Sequence, residues 1–124
     1  MIDHLELSVS NLPRSEAFYC AALAPLGYEL HVPAEAKGFG VSMNALDFWL
    51  RQGDVSTPRP HFAFNCASRP LVDRAYAAAI EAGGSDNGTP RVLAHIHENY
   101  YAGFVRDPDG HNVEFVCHAA VDRE

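Results

Sequence analysis

Lysine is almost missing from this chain: Lys37 is the single example, and the other members of its 9 cations are arginines scattered among 16 acidic residues. Proteins that hold nucleic acid need a concentrated basic face to release phosphate counterions. A net charge of −7 without a basic cluster excludes that class, and anionic membrane surfaces with it. Cysteine is scarce and unpaired in pattern, with Cys20, Cys66 and Cys117 widely spaced and no CxxC. That argues against a disulfide framework and predicts a reducing, cytoplasmic setting. No apolar run approaches the ~18 residues of a membrane span. The opening Met1-Ile2-Asp3-His4 has neither the basic nor the apolar region of a signal peptide. A Ser-His-Asp arrangement, a phosphate-cradling glycine loop and a dinucleotide fingerprint are absent too.

What is present is ordinary in bulk and unusual in one respect. The 124 residues are 48% apolar and 20% charged, the make-up of one globular domain. A chain of this length buries roughly two-thirds of its unfolded surface without staples. Seven histidines in a small acidic chain stand out, so the position of each matters.

An internal repeat organises the chain. Sliding the sequence until His4 falls on His61 puts Tyr19 on Tyr76, Ala21-Ala22 on Ala78-Ala79, Leu23 on Ile80 and Gly27 on Gly84. Each copy opens with a period-two strand, His4 to Val9 and His61 to Cys66. A helix follows, with Pro13 or Pro70 in its first turn and Ser10 or Asn11 available to cap the first. Val72, Ala75, Tyr76, Ala79 and Ile80 form a buried stripe on the second helix, which Gly83-Gly84 ends. Further strands are expected at 28–32, 39–43 and 46–51, and at 91–96, 100–106 and 111–118. Asp107-Pro108-Asp109-Gly110 suits a type I turn joining the last two as a hairpin. Gly38-Phe39-Gly40 reads as another turn. The expected architecture is α+β: a single domain of two βαβββ modules, about 1–53 and 60–124, with a linker at about 54–59.

Parity then sorts the strand side chains into two faces. Leu5, Leu7, Val9, Phe62, Phe64 and Phe115 face the helices, together with Cys66 and Cys117, which read as core fillers. His4, His61 and Glu114 lie on the opposite, cavity-lining face. Two imidazoles and a carboxylate are a facial set able to hold a divalent transition metal with open positions, where a substrate oxygen or water can bind.

The stretches His4-Leu-Glu-Leu-Ser-Val, Ala17-Phe18-Tyr19, His61-Phe-Ala-Phe and Phe104-Val-Arg-Asp-Pro-Asp-Gly-His-Asn-Val-Glu114 resemble the glyoxalase/vicinal-oxygen-chelate superfamily along nearly the whole chain. The resemblance implies two βαβββ modules curled into an open mixed-sheet barrel. It also implies one divalent metal (Zn, Ni, Mn or Fe) held by His4, His61 and Glu114, and pairing as a homodimer. Glyoxalase I enzymes add a second Glu on the fourth strand of the first module, where this chain has Leu46-Asp47-Phe48-Trp49-Leu50-Arg51. Trp49 cannot ligate, and Asp47 would reach only if that strand shifted by two residues. Three-ligand sites resemble instead those of extradiol dioxygenases and fosfomycin-modifying transferases.

The dioxygenase branch implies a second acid/base, for which His97, Tyr101 and His95 are the candidates beside Glu114, with Tyr100 read as packing. Trp49 and Arg51, on the cavity face, are candidate substrate contacts, Arg51 through its fork of donors. Glu6 stands beside His4 on the same face. His118 shares parity with Glu114, His111 is expected to face solvent after the turn, and His31 reads as a loop residue. The function implied is a metal-dependent enzyme, of lyase, isomerase or dioxygenase type, acting on a small substrate chelated through vicinal oxygens. The alternative is a metal-free module that sequesters a small molecule, as in the bleomycin-resistance branch, which the acidic charge and Trp49 fit.

Overall fold

The computed structural model describes residues 1–121. Module 1 comprises β1 (Leu5–Val9), α1 (Leu12–Leu23), a 3-10 turn (Ala24–Leu26), β2 (Glu29–Pro33), β3 (Ala36–Gly40) and β4 (Leu46–Gln52). Module 2 repeats the order with β5 (His61–Asn65), α2 (Arg69–Glu81), β6 (Ser85–Val92), β7 (Tyr101–Arg106) and β8 (Asn112–Cys117). Each module is one four-stranded mixed sheet, ordered β1-β4-β3-β2 and β5-β8-β7-β6. The first strand of each runs parallel to the fourth. The α+β, two-module architecture expected from the repeat is the one observed.

Local chemistry starts both helices. Asn11 caps α1 by accepting the Arg14 N–H, and Ser68 caps α2 by accepting the Leu71 N–H. Gln52 adds a second clamp, accepting from Leu12 N at 2.8 Å and donating to the Ser10 carbonyl at 2.6 Å. Asn11→Ala should therefore lower stability by only about 1 kcal/mol, read as a small shift in the urea midpoint. The expected type I turn is present, with Gly110 N–H donating to Asp107 O.

Two strand expectations are corrected. β3 runs through Gly38-Phe39-Gly40 rather than starting at Phe39, because Gly38 serves packing and not turning: a Cβ there would meet Trp49 carbons at 2.8, 2.9 and 3.1 Å. β6 spans 85–92 instead of 91–96. Its Ser-Asp-Asn-Gly-Thr-Pro opening reads as a loop, yet β7 recruits it with two register shifts, and an edge strand tolerates Gly88 and Pro90. His31 consequently sits on β2, its Nε2 3.1 Å from the Gly40 carbonyl.

The two modules share one core, built from the helix-bearing face of each sheet. Phe48 of β4 packs against Phe62 and Phe64 of β5 at ring centroids of 5.7 and 5.2 Å, and Tyr28 meets Phe64 at 5.8 Å. α1 packs on α2, and Gly84 lies between Phe18 of α1 and Val105 of β7. Cys66 and Cys117 fill this core as expected. The modules are thus joined through their inner faces, and the opposite face of each sheet is turned outward.

Candidate functional site

The outer face of module 2 gathers the densest set of chemical groups. The β5–β8 register places His61 opposite Asn112 and Ala63 opposite Glu114. His61 Nδ1 lies 3.0 Å from the Asn112 carbonyl, which can only accept, so Nδ1 carries the proton and donates. The Nε2 lone pair then faces Glu114 Oε1 at 3.0 Å. Two acceptors so placed need a cation between them, either a further proton or a metal ion. Orientation of an imidazole by a backbone carbonyl on its other nitrogen is the usual support of a histidine ligand.

Glu114 is only 3% exposed, and its second oxygen accepts the Tyr100 hydroxyl. Burial and that hydrogen bond push the Tyr100 phenol up to about 12, so it stays a donor. Phe104 stacks on His61 at 6.2 Å, with the Arg91 guanidinium 5.5 Å over Phe104. Beyond Tyr100 lies a histidine pair. Asn99 N–H donates to His97 Nδ1 at 3.1 Å, so His97 Nε2–H donates to His118 Nδ1 at 2.9 Å. The Tyr100 ring stands edge-on to both, at 5.4 and 5.2 Å. His97 therefore has both nitrogens engaged, while His95 is exposed and outside the group.

Tyr101 is not brought to this site. It pairs with Cys117, whose side chain is in the core, and its hydroxyl donates to Asp73 of α2 at 2.7 Å. Burial and the Asp73 bond push its phenol up to about 12. A one-residue step along a strand reverses the face, so Tyr100 holds the place expected of Tyr101. The parity of Cys117, carried across to β7, was the available signal.

His111 is also corrected, from solvent-facing to fully buried. Asp107 draws it inward by accepting from its backbone N–H at 2.9 Å and from Nδ1 at 2.7 Å. The same carboxylate accepts the Tyr19 hydroxyl from α1.

Module 1 presents a second outer face. Its register pairs Glu6 with Trp49 and Ser8 with Arg51, and Arg51 Nε donates to Glu6 at 3.4 Å. His4 and Asp47 immediately precede the paired Leu5 and Phe48, and both line the cavity between the modules. The Asp47 carboxylate is taken by the Tyr28 hydroxyl at 2.7 Å, and burial together with that bond raises the Tyr28 phenol above its usual range. His4 is exposed, its Nδ1 2.7 Å from Asp3. A cavity of about 560 Å³ opens between the two modules, with His4, His61 and Asp47 among its rim residues and Phe48 and Phe62 among its apolar ones.

The structure thus brings His61 and Glu114 together and leaves His4 apart on the other module. Among the described residues, no group of three His, Cys, Asp or Glu side chains is placed to hold a metal. His61 and Glu114 by themselves fit a divalent cation by donor type and by the closeness of Nε2 to Oε1. No described helix is long and apolar enough to cross a membrane, and Cys20, Cys66 and Cys117 are free thiols.

Comparison with known proteins follows the same lines. The family model "Glyoxalase/Bleomycin resistance protein/Dioxygenase superfamily" matches residues 1–115. A glyoxalase/bleomycin resistance protein from Albidiferax ferrireducens T118 superposes with a TM-score of 0.78 at 22% identity, covering 94% of this chain and 98% of that one. A glyoxalase-related enzyme from Fulvimarina pelagi gives 0.71 at 22%, over 94% and 87%. The fosfomycin resistance protein FosX from Mesorhizobium loti gives 0.72 at 17%, over 96% and 92%. At these identities the likeness is one of fold. A search of curated protein sequences returned no match.

Proposed function

We propose, for a chain that belongs to the glyoxalase/bleomycin resistance protein/dioxygenase superfamily, that it is a divalent-metal-dependent enzyme of lyase, isomerase or dioxygenase type. Its substrate is a small molecule held through vicinal oxygens, and its setting the reducing cytoplasm that three free thiols suit. The observation that carries this reading is the facing of His61 Nε2 and Glu114 Oε1 at 3.0 Å, with His61 Nδ1–H already spent on a carbonyl.

His4 is the third donor. Within one chain His4 and His61 both line the cavity between the modules, but among the described residues His4 does not join His61 and Glu114 as a three-donor group. Among the described residues, β1 and β5 are edge strands of their sheets. A homodimer that sets module 1 of one chain beside module 2 of the other completes the set, with His4 of the partner subunit as the third ligand. When bound, a divalent metal, Zn, Ni, Mn or Fe, supplies Lewis acidity at the substrate oxygens. The chain's own groups do the rest. The Asn112 carbonyl fixes the His61 tautomer, Tyr100 holds Glu114 by its outer oxygen, and Phe104 shields one face of His61. His97 holds His118 by hydrogen bond and acts through it, and Tyr101 takes no part.

The second reading, metal-free sequestration of a small molecule, is favoured by the apartness of His4 and by a half-buried Trp49 on an acidic protein. Elemental mass spectrometry on untagged protein after exposure to Zn, Ni, Mn and Fe(II) separates the two. The wild type should retain about one metal per chain, and His4→Ala, His61→Ala and Glu114→Ala should each lose it. Refolding His4→Ala together with Glu114→Ala should restore about a quarter of the wild-type content, since half of the dimers are mixed and each mixed dimer has one intact site. No metal in folded wild type would leave the sequestering reading. Restoration absent from mixed dimers would sink the shared site.

A further inference from the structure

We propose that the outer face of module 1 binds a planar aromatic carboxylate, the ring on Trp49 and the carboxylate on Arg51. This deepens the metal reading, which enters only in placing the substrate's chelating oxygens; the ring and anion contacts stand on module 1 alone.

The platform comes first. A Cβ on Gly38 would lie at nearly equal distances, 2.8, 2.9 and 3.1 Å, from Cζ3, Cη2 and Cε3 of Trp49. Near-equal approach to three carbons of one ring means that the benzo ring lies face-on over the glycine, flat across β3. Its other face is turned away from the sheet, and Trp49 is only half-buried. Aromatic rings stack on such a face in offset or edge-on geometry at a gain of ~0.5–1.5 kcal/mol beyond area.

The anchor stands one outer-face position further. Arg51 and Trp49 are neighbours on the same face of β4, about 6–7 Å apart along the strand. Ala36 lies opposite Arg51 on β3 and Gly38 opposite Trp49, so the two smallest side chains clear the lane beside them. Arg51 is half-exposed and its Nε lies 3.4 Å from Glu6, a weak exposed pair. Among the described residues its two terminal nitrogens make no hydrogen bond, which suits a bidentate carboxylate, the geometry a guanidinium fork favours.

Order along the strand gives the substrate a direction. Glu6 and Trp49 stand at one level and Ser8 and Arg51 at the next, with His4 just before the start of β1. A ligand lying down this lane puts metal-chelating oxygens at the His4 end, its flat body on Trp49 and its anionic end on Arg51. Glu6 is the competing partner: with Trp49 it would equally suit an aromatic amine, and an amine is therefore the decisive control.

Trp49 is the only tryptophan, so its emission reports the site directly, without turnover. Full-length protein is titrated with benzoate, benzylamine and benzyl alcohol, with and without bound metal. Benzoate should change the emission saturably, with benzyl alcohol and benzylamine at least about ten-fold weaker. Arg51→Gln should weaken benzoate about ten-fold while keeping metal content and circular dichroism. Gly38→Ala, checked for folding in the same way, should weaken every aromatic probe by tilting the indole. Tighter binding of benzylamine, lost in Glu6→Gln, would overturn the carboxylate class in favour of an amine. Equal binding of benzyl alcohol, or no saturable change with any probe, would overturn the proposal too. Normal benzoate binding by protein that takes up no metal would sink the metal reading and leave this one standing.

Discussion

Asp107→Ala should lower the stability of the chain by about 3–5 kcal/mol, among the largest losses available to a single polar substitution. The side chain is fully buried and its carboxylate accepts four hydrogen bonds. The Tyr19 hydroxyl reaches it at 2.6 Å and His111 Nδ1 at 2.7 Å, and the backbone N–H groups of Asp109 and His111 each lie at 2.9 Å. Removing it strands several donors where water does not reach, and an orphaned buried donor costs its desolvation in full. Tyr19 shows how dry the site is: burial, reinforced by the Asp107 charge, drives its phenol well above the usual range. Urea unfolding of the variant should show an early midpoint with an unchanged slope.

The same carboxylate gives a pH dependence of defined sign. Burial alone would raise its pKa, but the bonds from His111 and Tyr19 outweigh burial and hold it below its ordinary value of 3.8. A carboxyl lowered on folding stabilises fully above its unfolded pKa and loses that contribution as pH falls through the folded value. Wild-type stability should therefore decline below pH 3.8, and the decline should be shallower in Asp107→Ala. Equal acid slopes in the two proteins would show that other carboxylates dominate.

The Asp107 network also marks where reading along the chain stops working. The Asp-Pro-Asp-Gly turn was legible because its positional preferences are local. The burial of His111 was not, because the group that seals the pocket, Tyr19, lies 88 residues away on α1. The two-module order, the α1 cap and the first and last strands follow from repeat and period, which are local properties too. β6 and β3 did not, since pairing with β7 and the packing of Trp49 overrode weak propensities. At the candidate site, parity puts His4, His61 and Glu114 on the cavity-lining face, with Trp49 and Arg51 on the cavity face of their own strand. It left open which faces meet, because that depends on how the sheets pack and not on either strand alone.

Phe48→Ala tests that packing, and should cost a further 3–5 kcal/mol or so. The ring is 1% exposed and stands at the centre of an aromatic cluster, 4.8 Å from Tyr19, 6.0 Å from Phe39, 5.7 Å from Phe62 and 5.2 Å from Phe64. Two of those partners belong to module 1 and two to module 2. A double-mutant cycle between Phe48 and Phe64 should return a coupling of about 0.5–1.5 kcal/mol. Both should unfold in one cooperative transition, because neither module keeps a complete core without the other. Strict additivity would mean that the rings do not touch and that the inner faces are joined elsewhere. Coupling, in contrast, has a functional consequence. The ring cluster ties the two modules together, and so it fixes the cavity between them that His4 and His61 both line.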